Sequence, residues 1–241
     1  GNRLIMAFNS HPRDTYVDGR TNLYFLQSFD MGKTWATIEG TAVETPLNSF
    51  HNPALVRDYQ SEERLVYLKD INFDPDGNPI ILYITSDSHK PGPKSGYRLW
   101  ETAHWSGQTW EFSVITGATH NYDMGSLYTE YDAWRLIAPT SPGPQSFGTG
   151  GEMDIWEKKP GARWAKVKSI TRNSEFNHAY ARRSVHAHPD FYAFWADGNP
   201  YQLSMSRIYF TNQNGDKVWM LPYNMVNDYE EPELLTRREN D

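Results

Sequence analysis

Residues 28–35 read SFDMGKTW, and the way this octapeptide turns decides the fold. Asp30 is placed to accept hydrogen bonds from the amides of a tight turn. Gly32 can take the positive φ such a turn requires, and Trp35 opens the next strand with a large ring to bury. Looser copies of the same ending follow at 106–110 (SGQTW), 160–164 (PGARW) and 214–219 (NGDKVW). Trp35, Trp110, Trp164 and Trp219 stand 75, 54 and 55 residues apart, so the turn is one part of a repeat.

Outward from the turn, each copy is preceded by two apolar strands. The first of each pair reads RLIMAFN (3–9), NPIILYITSD (78–87), AWRLIAPT (133–140) and DFYAFWADG (190–198). The second reads NLYFLQS (22–28), YRLWETAHW (97–105), EMDIWEKK (152–159) and RIYFTNQ (207–213). A further strand precedes the last three units: RLVYLKDIN (64–72), MGSLYTE (124–130) and YARRSVHAH (180–188). Four antiparallel strands per unit, repeated at this spacing, predict an all-β fold, a β-propeller of four-stranded blades with about four blades in the chain. The blades fall at about 1–40, 41–116, 117–172 and 173–225, with a polar segment at 226–241. Unit one starts at its second strand, which leads to the expectation that the chain is part of a larger propeller; a self-contained four-bladed ring is the alternative.

Composition agrees with short strands and tight turns: 15 Tyr, 11 Phe and 9 Trp stand beside 17 Gly and 15 Pro in 241 residues. A formal charge of −7 without a basic run gives no footprint for nucleic acid. No run of about 18 apolar residues offers a membrane-spanning helix. The absence of Cys removes disulfide and thiolate chemistry and leaves the compartment open. Without a Met start or a signal-like leader, the chain is expected to be mature or trimmed.

Function is expected at one mouth of the propeller, where the loops leading into the innermost strands meet the loops joining second to third strands. SFHNP (49–53), THNYD (119–123) and FNHAY (176–180) would set His51, His120 and His178 at comparable positions, with Asn52 beside the first. The competing reading is that each His–Asn pair satisfies backbone groups at a blade junction. Long loops on the same face add His11, Arg13 and His89. Alternation along YARRSVHAH puts Tyr180, Arg182, Ser184, His186 and His188 on one polar face, which would line the channel, with Arg183 on the other. Arg135 either lines the channel or lies in an inter-blade ion pair. In THNYD, Asn121 and Asp123 are expected to hold the turn.

SFDMGKTW fits the Asp-box pattern S-x-D-x-G-x-T-W of sialidase-like and BNR-repeat propellers. The run HNYDMGSLY…WRLIAPT…GPQ…GGEM, with NHAYARR…AHPDFYAFWADG, resembles the BNR-repeat propellers that include the ulvan lyases, enzymes that cut rhamnose–uronate linkages. The resemblance implies a seven-bladed parent fold and a polysaccharide lyase that works by β-elimination on an acidic polysaccharide or oligosaccharide. It assigns His51 to proton transfer or substrate binding, Tyr122 to catalysis, Arg135 to the uronate carboxylate and His188 to a further active-site position. His120, Asn52, His178, Tyr180 and Arg182 complete the expected substrate-binding set. A second catalytic His is missing: Asn72 stands near its place. The resemblance further implies a secreted or periplasmic protein. A glycoside hydrolase of rhamnosidase or sialidase-like type and a non-catalytic carbohydrate-binding propeller are the alternatives, although no Phe/Tyr-Arg-Ile-Pro motif is present. No cofactor is required and no catalytic metal is expected; His11, His89, His178 and His186 leave room for a structural calcium or zinc ion. Oligomeric state is not legible.

Overall fold

The computed structural model describes residues 2–130 and 132–235. Its strands form four antiparallel sheets in chain order. The first holds β1 (Leu4–Ser10), β2 (Thr21–Ser28), β3 (Trp35–Ala36) and β4 (Ala42–Val43), with β5 (Leu55–Arg57) also paired to β2. The second holds β6 (Leu65–Phe73), β7 (Pro79–Ser86), β8 (Arg98–Trp105) and β9 (Trp110–Gly117). The third holds β10 (Ser126–Thr129), β11 (Trp134–Ser141), β12 (Glu152–Lys158) and β13 (Ala165–Ser169). The fourth holds β14 (Asn177–His188), β15 (Phe191–Gly198), β16 (Ile208–Thr211), β17 (Val218–Met220) and β18 (Glu233–Leu235). Each sheet is a propeller blade, and β6, β10 and β14 are neighbours along the inner edge.

Period-two alternation explains why the blades stack. On β7, Ile81 and Tyr83 pack toward blade one with Leu23, Phe25 and Val66, while Ile80, Leu82 and Ile84 pack toward blade three with Leu127, Leu136 and Trp164. On β11, Ile137 turns the other way and joins Met153, Tyr192 and Trp195 between blades three and four. The central strands of blades one to three are thus buried on both faces, whereas β16 of blade four buries Tyr209 and leaves Ile208 exposed on the other face; each blade interface is a core of its own. At about 1.5–3 kcal/mol per fully buried large apolar side chain, these interfaces are the main source of cohesion.

The turn at 28–35 closes as its residues dictate. Ser28 Oγ donates to Asp30 Oδ1 (2.8 Å), and the Thr34 amide and hydroxyl donate to the same carboxylate at 2.9 and 2.7 Å. Gly32 sits at φ 85° and donates to Ser28 Oγ at 2.8 Å. Those donors, the Thr34 amide first, hold the Asp30 carboxyl down at about 2. Trp35 then packs against the Tyr24, Leu26 and Val43 side of blade one.

Three expectations need correction. The segment expected to lie beyond the blades contributes β18, which adds a fifth strand to blade four through the pairs Val218↔Leu235 and Met220↔Glu233; residues 236–241 lie outside the described residues. The stretch at 55–57, expected within blade two, pairs with β2 of blade one instead. The simple alternation along β14 is broken by register shifts between Ala179 and Arg182 and between Arg183 and His188, with Tyr180 and His186 at positive φ. Ala181 is buried as alternation requires, but Arg183, expected on the same face, is exposed.

Candidate functional site

Three of the loops expected to converge at one mouth, those joining β1 to β2 and β7 to β8 and the one at 119–123, meet around Tyr122. The β1–β2 loop brings Asp18, whose carboxylate accepts the hydrogen bond of the Tyr122 hydroxyl. Tyr67 on β6 donates to the Asp18 backbone carbonyl at 2.7 Å, and its ring meets that of Tyr122 edge-on at 5.7 Å. His11 holds the same loop through Tyr16 and Val17 carbonyls, and the Tyr16 ring lies against that of His89 on the β7–β8 loop, 3.9 Å between centroids. Blades one, two and three therefore meet at the phenol of one residue.

The backbone under Tyr122 is fixed by the two residues expected to hold the turn. Asn121 accepts from Arg98 Nε (2.6 Å) and donates to the carbonyls of Ser88 and His89. Asp123 is fully buried and accepts from the Gly150 and His120 amides at 2.8 and 3.0 Å. Gly150 has φ +90°, and a Cβ there would fall 2.4 Å from the His178 carbonyl, so only glycine brings this amide to Asp123. Burial lifts the Asp123 carboxyl to about 7 in spite of those amides and the nearby Lys69.

Lys69, on β6, extends its ammonium to the Asn121 carbonyl at 2.5 Å. Burial pulls its pKa down to about 7; Asp123 opposes this, and the Arg20 and Arg182 cations reinforce it. His120 is pushed to about 4 by burial and by the Arg98 and Lys69 charges, so its ring is neutral at pH 7. Its Nδ1 accepts from the Tyr122 amide at 3.1 Å, which puts the proton of the neutral ring on Nε2 and makes that nitrogen a donor. The Tyr122 hydroxyl is raised by burial and by Asp18, with Arg20 acting against them. It is a protonated phenol with a carboxylate as its acceptor, rather than a phenolate standing ready between cations. The whole is a cluster of cations, Lys69, Arg20 and Arg182, beside a Tyr–Asp pair and an imidazole donor.

Of the residues expected at the site, Tyr122, His120 and Arg182 come together here. Tyr180 is exposed on the same inner strand, with the Arg182 guanidinium 5.8 Å from its ring centre. The others do not join them. Arg135 lies at the far end of its blade, its Nε 2.8 Å from Glu157 on the paired strand β12 and its Nη1 donating to Gln213 O of blade four at 3.3 Å, so its ion pair lies within blade three and its inter-blade contact is a hydrogen bond to a backbone carbonyl, which corrects the inter-blade ion pair expected from the sequence. His51 and Asn52 flank β5 on the outside of blade one: His51 pairs with Asp58 at 3.0 Å, and Asn52 ties Ser49 to Ala54 in its own turn. His178 is buried, its Nδ1 accepting from Trp195 Nε1 (2.8 Å) and its Nε2 bonded to Ser174 Oγ (2.9 Å), which makes it a core histidine with no nitrogen left for a ligand. His188 sits at the opposite end of β14 beside Asp190.

The three His–Asn loops fail to align for a plain reason. His120 precedes its inner strand by six residues, His51 precedes β6 by 14 because β5 intervenes, and His178 is already inside β14. Asp18, Arg20, Tyr67 and Lys69 were not singled out by sequence. The available signal was Lys69 itself, a cation in the middle of an inner strand. Among the described residues no three His, Asp or Glu side chains are grouped to hold a metal ion.

Comparison with known proteins places this geometry on a known scaffold. The BNR repeat-containing family model matches residues 5–116. A solved polysaccharide lyase, an ulvan lyase described as founding a new family, superimposes with a TM-score of 0.68 at 16% identity, over 88% of this chain and 49% of its own. The fold is that of the ulvan lyase. The same enzyme solved with a bound glucuronate–(1-4)–rhamnose-3-sulfate oligosaccharide matches with the same TM-score, identity and coverage. The chain spans about half the length, 49%, of these ulvan lyase structures. A comparison with curated protein sequences returns no match.

Proposed function

We propose that the Tyr122 mouth is the active site of a polysaccharide lyase that cleaves a uronate-containing polymer by β-elimination. The observation that carries the reading is the Tyr122–Asp18 hydrogen bond beside the Lys69, Arg20 and Arg182 cations. Such an elimination needs positive charge on the uronate carboxylate, a base for the C5 proton and a donor for the departing C4 oxygen. The three cations supply the first. Tyr122 Oη takes the C5 proton as its own proton passes to Asp18, the C4–O bond breaks and C4=C5 forms. The Tyr122 hydroxyl then protonates the leaving oxygen and recovers its proton from Asp18. Nε2–H of His120 donates to a sugar hydroxyl, and Tyr180 offers an exposed ring to the polymer next to Arg182. The role the resemblance gave to Arg135 passes to this cation group. A polymeric substrate suits a secreted or periplasmic protein.

The test is the unsaturated uronate product, followed by its ultraviolet absorbance during digestion of a glucuronate–rhamnose sulfate polymer. A phenol beside a carboxylate also suits a hydrolase nucleophile, and the Tyr122–Asp18 pair is the observation that favours that second reading. New reducing ends without the unsaturated chromophore would select hydrolysis.

A further inference from the structure

A polar cavity of about 260 Å³ opens between blades three and four at the far end of β10 and β14 from Tyr122. Its walls include Tyr128, Glu130, Arg183, Ser184, His186 and Tyr192. The site described above uses none of them.

Several features there lack a structural purpose. Arg183 is exposed and, among the described residues, makes no hydrogen bond or ion pair, although its charge reaches Asp70 and Tyr128. Ser184 Oγ is enclosed and has no hydrogen-bond partner, an uncommon state for a buried hydroxyl. His186 is held at φ 54°, a left-handed conformation that costs a non-glycine residue energy and that clusters at ligand sites. Glu130 engages one carboxylate oxygen with the Tyr192 hydroxyl and keeps the other for an acceptor role.

We propose that this cavity binds a single acidic sugar, with its carboxylate on Arg183 and its hydroxyls shared between Ser184 and Glu130. Volume limits the occupant, since pockets for drug-sized ligands begin at roughly 300 Å³. Chemistry narrows it further. Glu130 repels a compact multivalent oxyanion yet accepts from hydroxyls, and Pro189, with the edges of the mutually stacked Tyr128 and Tyr192 rings behind it, gives a short apolar wall for the C–H edge of a pyranose. Among the described residues Arg183 is the one cation in the wall, so a neutral sugar leaves it unused. The inference is independent of the activity proposed for the other mouth.

The experiment reads the Ala187 methyl, which lines the cavity, by NMR of protein labelled with ¹³C-methyl alanine. Glucuronate is expected to shift this resonance in the wild type and in Tyr122→Phe alike. Arg183→Gln should weaken the response at least about tenfold, the loss typical of a charge-assisted hydrogen bond. Arg183 is exposed and unpartnered, so that variant keeps the fold. An Ala187 signal unmoved by saturating glucuronate overturns the site. So does an equal response in Arg183→Gln, or an equal response to glucose or to inorganic sulfate.

Discussion

Tyr122 shows how little a residue's type says until its acceptor is known. A tyrosine among cations would ionise early; Tyr122 is instead tied to Asp18, which raises its pKa and offers its proton a destination. Replacing it with Phe should lower turnover by about 10²- to 10⁴-fold with substrate binding largely kept, and Asp18→Asn should follow it, read from kcat and KM separately. Lys69 and Asp123 make a pH prediction. Lys69 has a folded value of about 7 against 10.5, so the unfolded chain binds more protons in between, and its contribution raises stability as pH climbs from 7 to 10.5. Asp123 is lifted from 3.8 to about 7, so its contribution to stability is present at low pH and is lost as pH rises through that window. Urea midpoints should therefore dip near pH 7, with the alkaline recovery abolished in Lys69→Met and the acid limb in Asp123→Asn. Flat midpoints in the wild type would contradict both assignments. Sequence found Tyr122 and His120 because both lie in one short loop. Asp18 and Lys69 escaped because they approach Tyr122 from 104 and 53 residues away along the chain, a proximity that only the folded blades create.

At the scale of elements, the strand plan was readable because it rests on period-two burial and on Trp-led outer strands. Trp35 and Trp110 open β3 and β9, Trp164 immediately precedes β13, and Trp219 lies within β17. What could not be read was anything that breaks the period: the two irregularities in β14, and the return of 55–57 to β2. Those departures displaced the expected histidines, since a bulge changes which face a residue serves. Arg135 belongs to this scale: it pairs with Glu157 across β11 and β12 within blade three, and its Nη1 reaches the Gln213 carbonyl of blade four. Arg135→Ala is expected to leave turnover within about twofold and to lower stability by about 1–3 kcal/mol through the unpaired Glu157. A loss of activity as deep as that of Tyr122→Phe would return Arg135 to the site. Leu136→Ala, in the core between blades two and three, should cost about 2–5 kcal/mol by leaving a cavity.

Across the whole molecule, adjacent blades share their cores, because the central strands of blades one, two and three pack both ways. Tryptophan fluorescence and far-ultraviolet circular dichroism should accordingly report one coincident urea transition, although the sequence repeats; separate transitions would mean that blades unfold independently. The same stacking fixes the mouth, since Asp18, Lys69 and Tyr122 come from three blades and keep their spacing only while the interfaces hold. The central claim is that this three-blade junction eliminates across a uronate, and its most direct measurement is product absorbance from a glucuronate–rhamnose sulfate polymer. The wild type and Arg135→Ala are predicted to release unsaturated uronate and Tyr122→Phe to release almost none. No unsaturated product from the folded wild type, or undiminished product from Tyr122→Phe, would contradict the account.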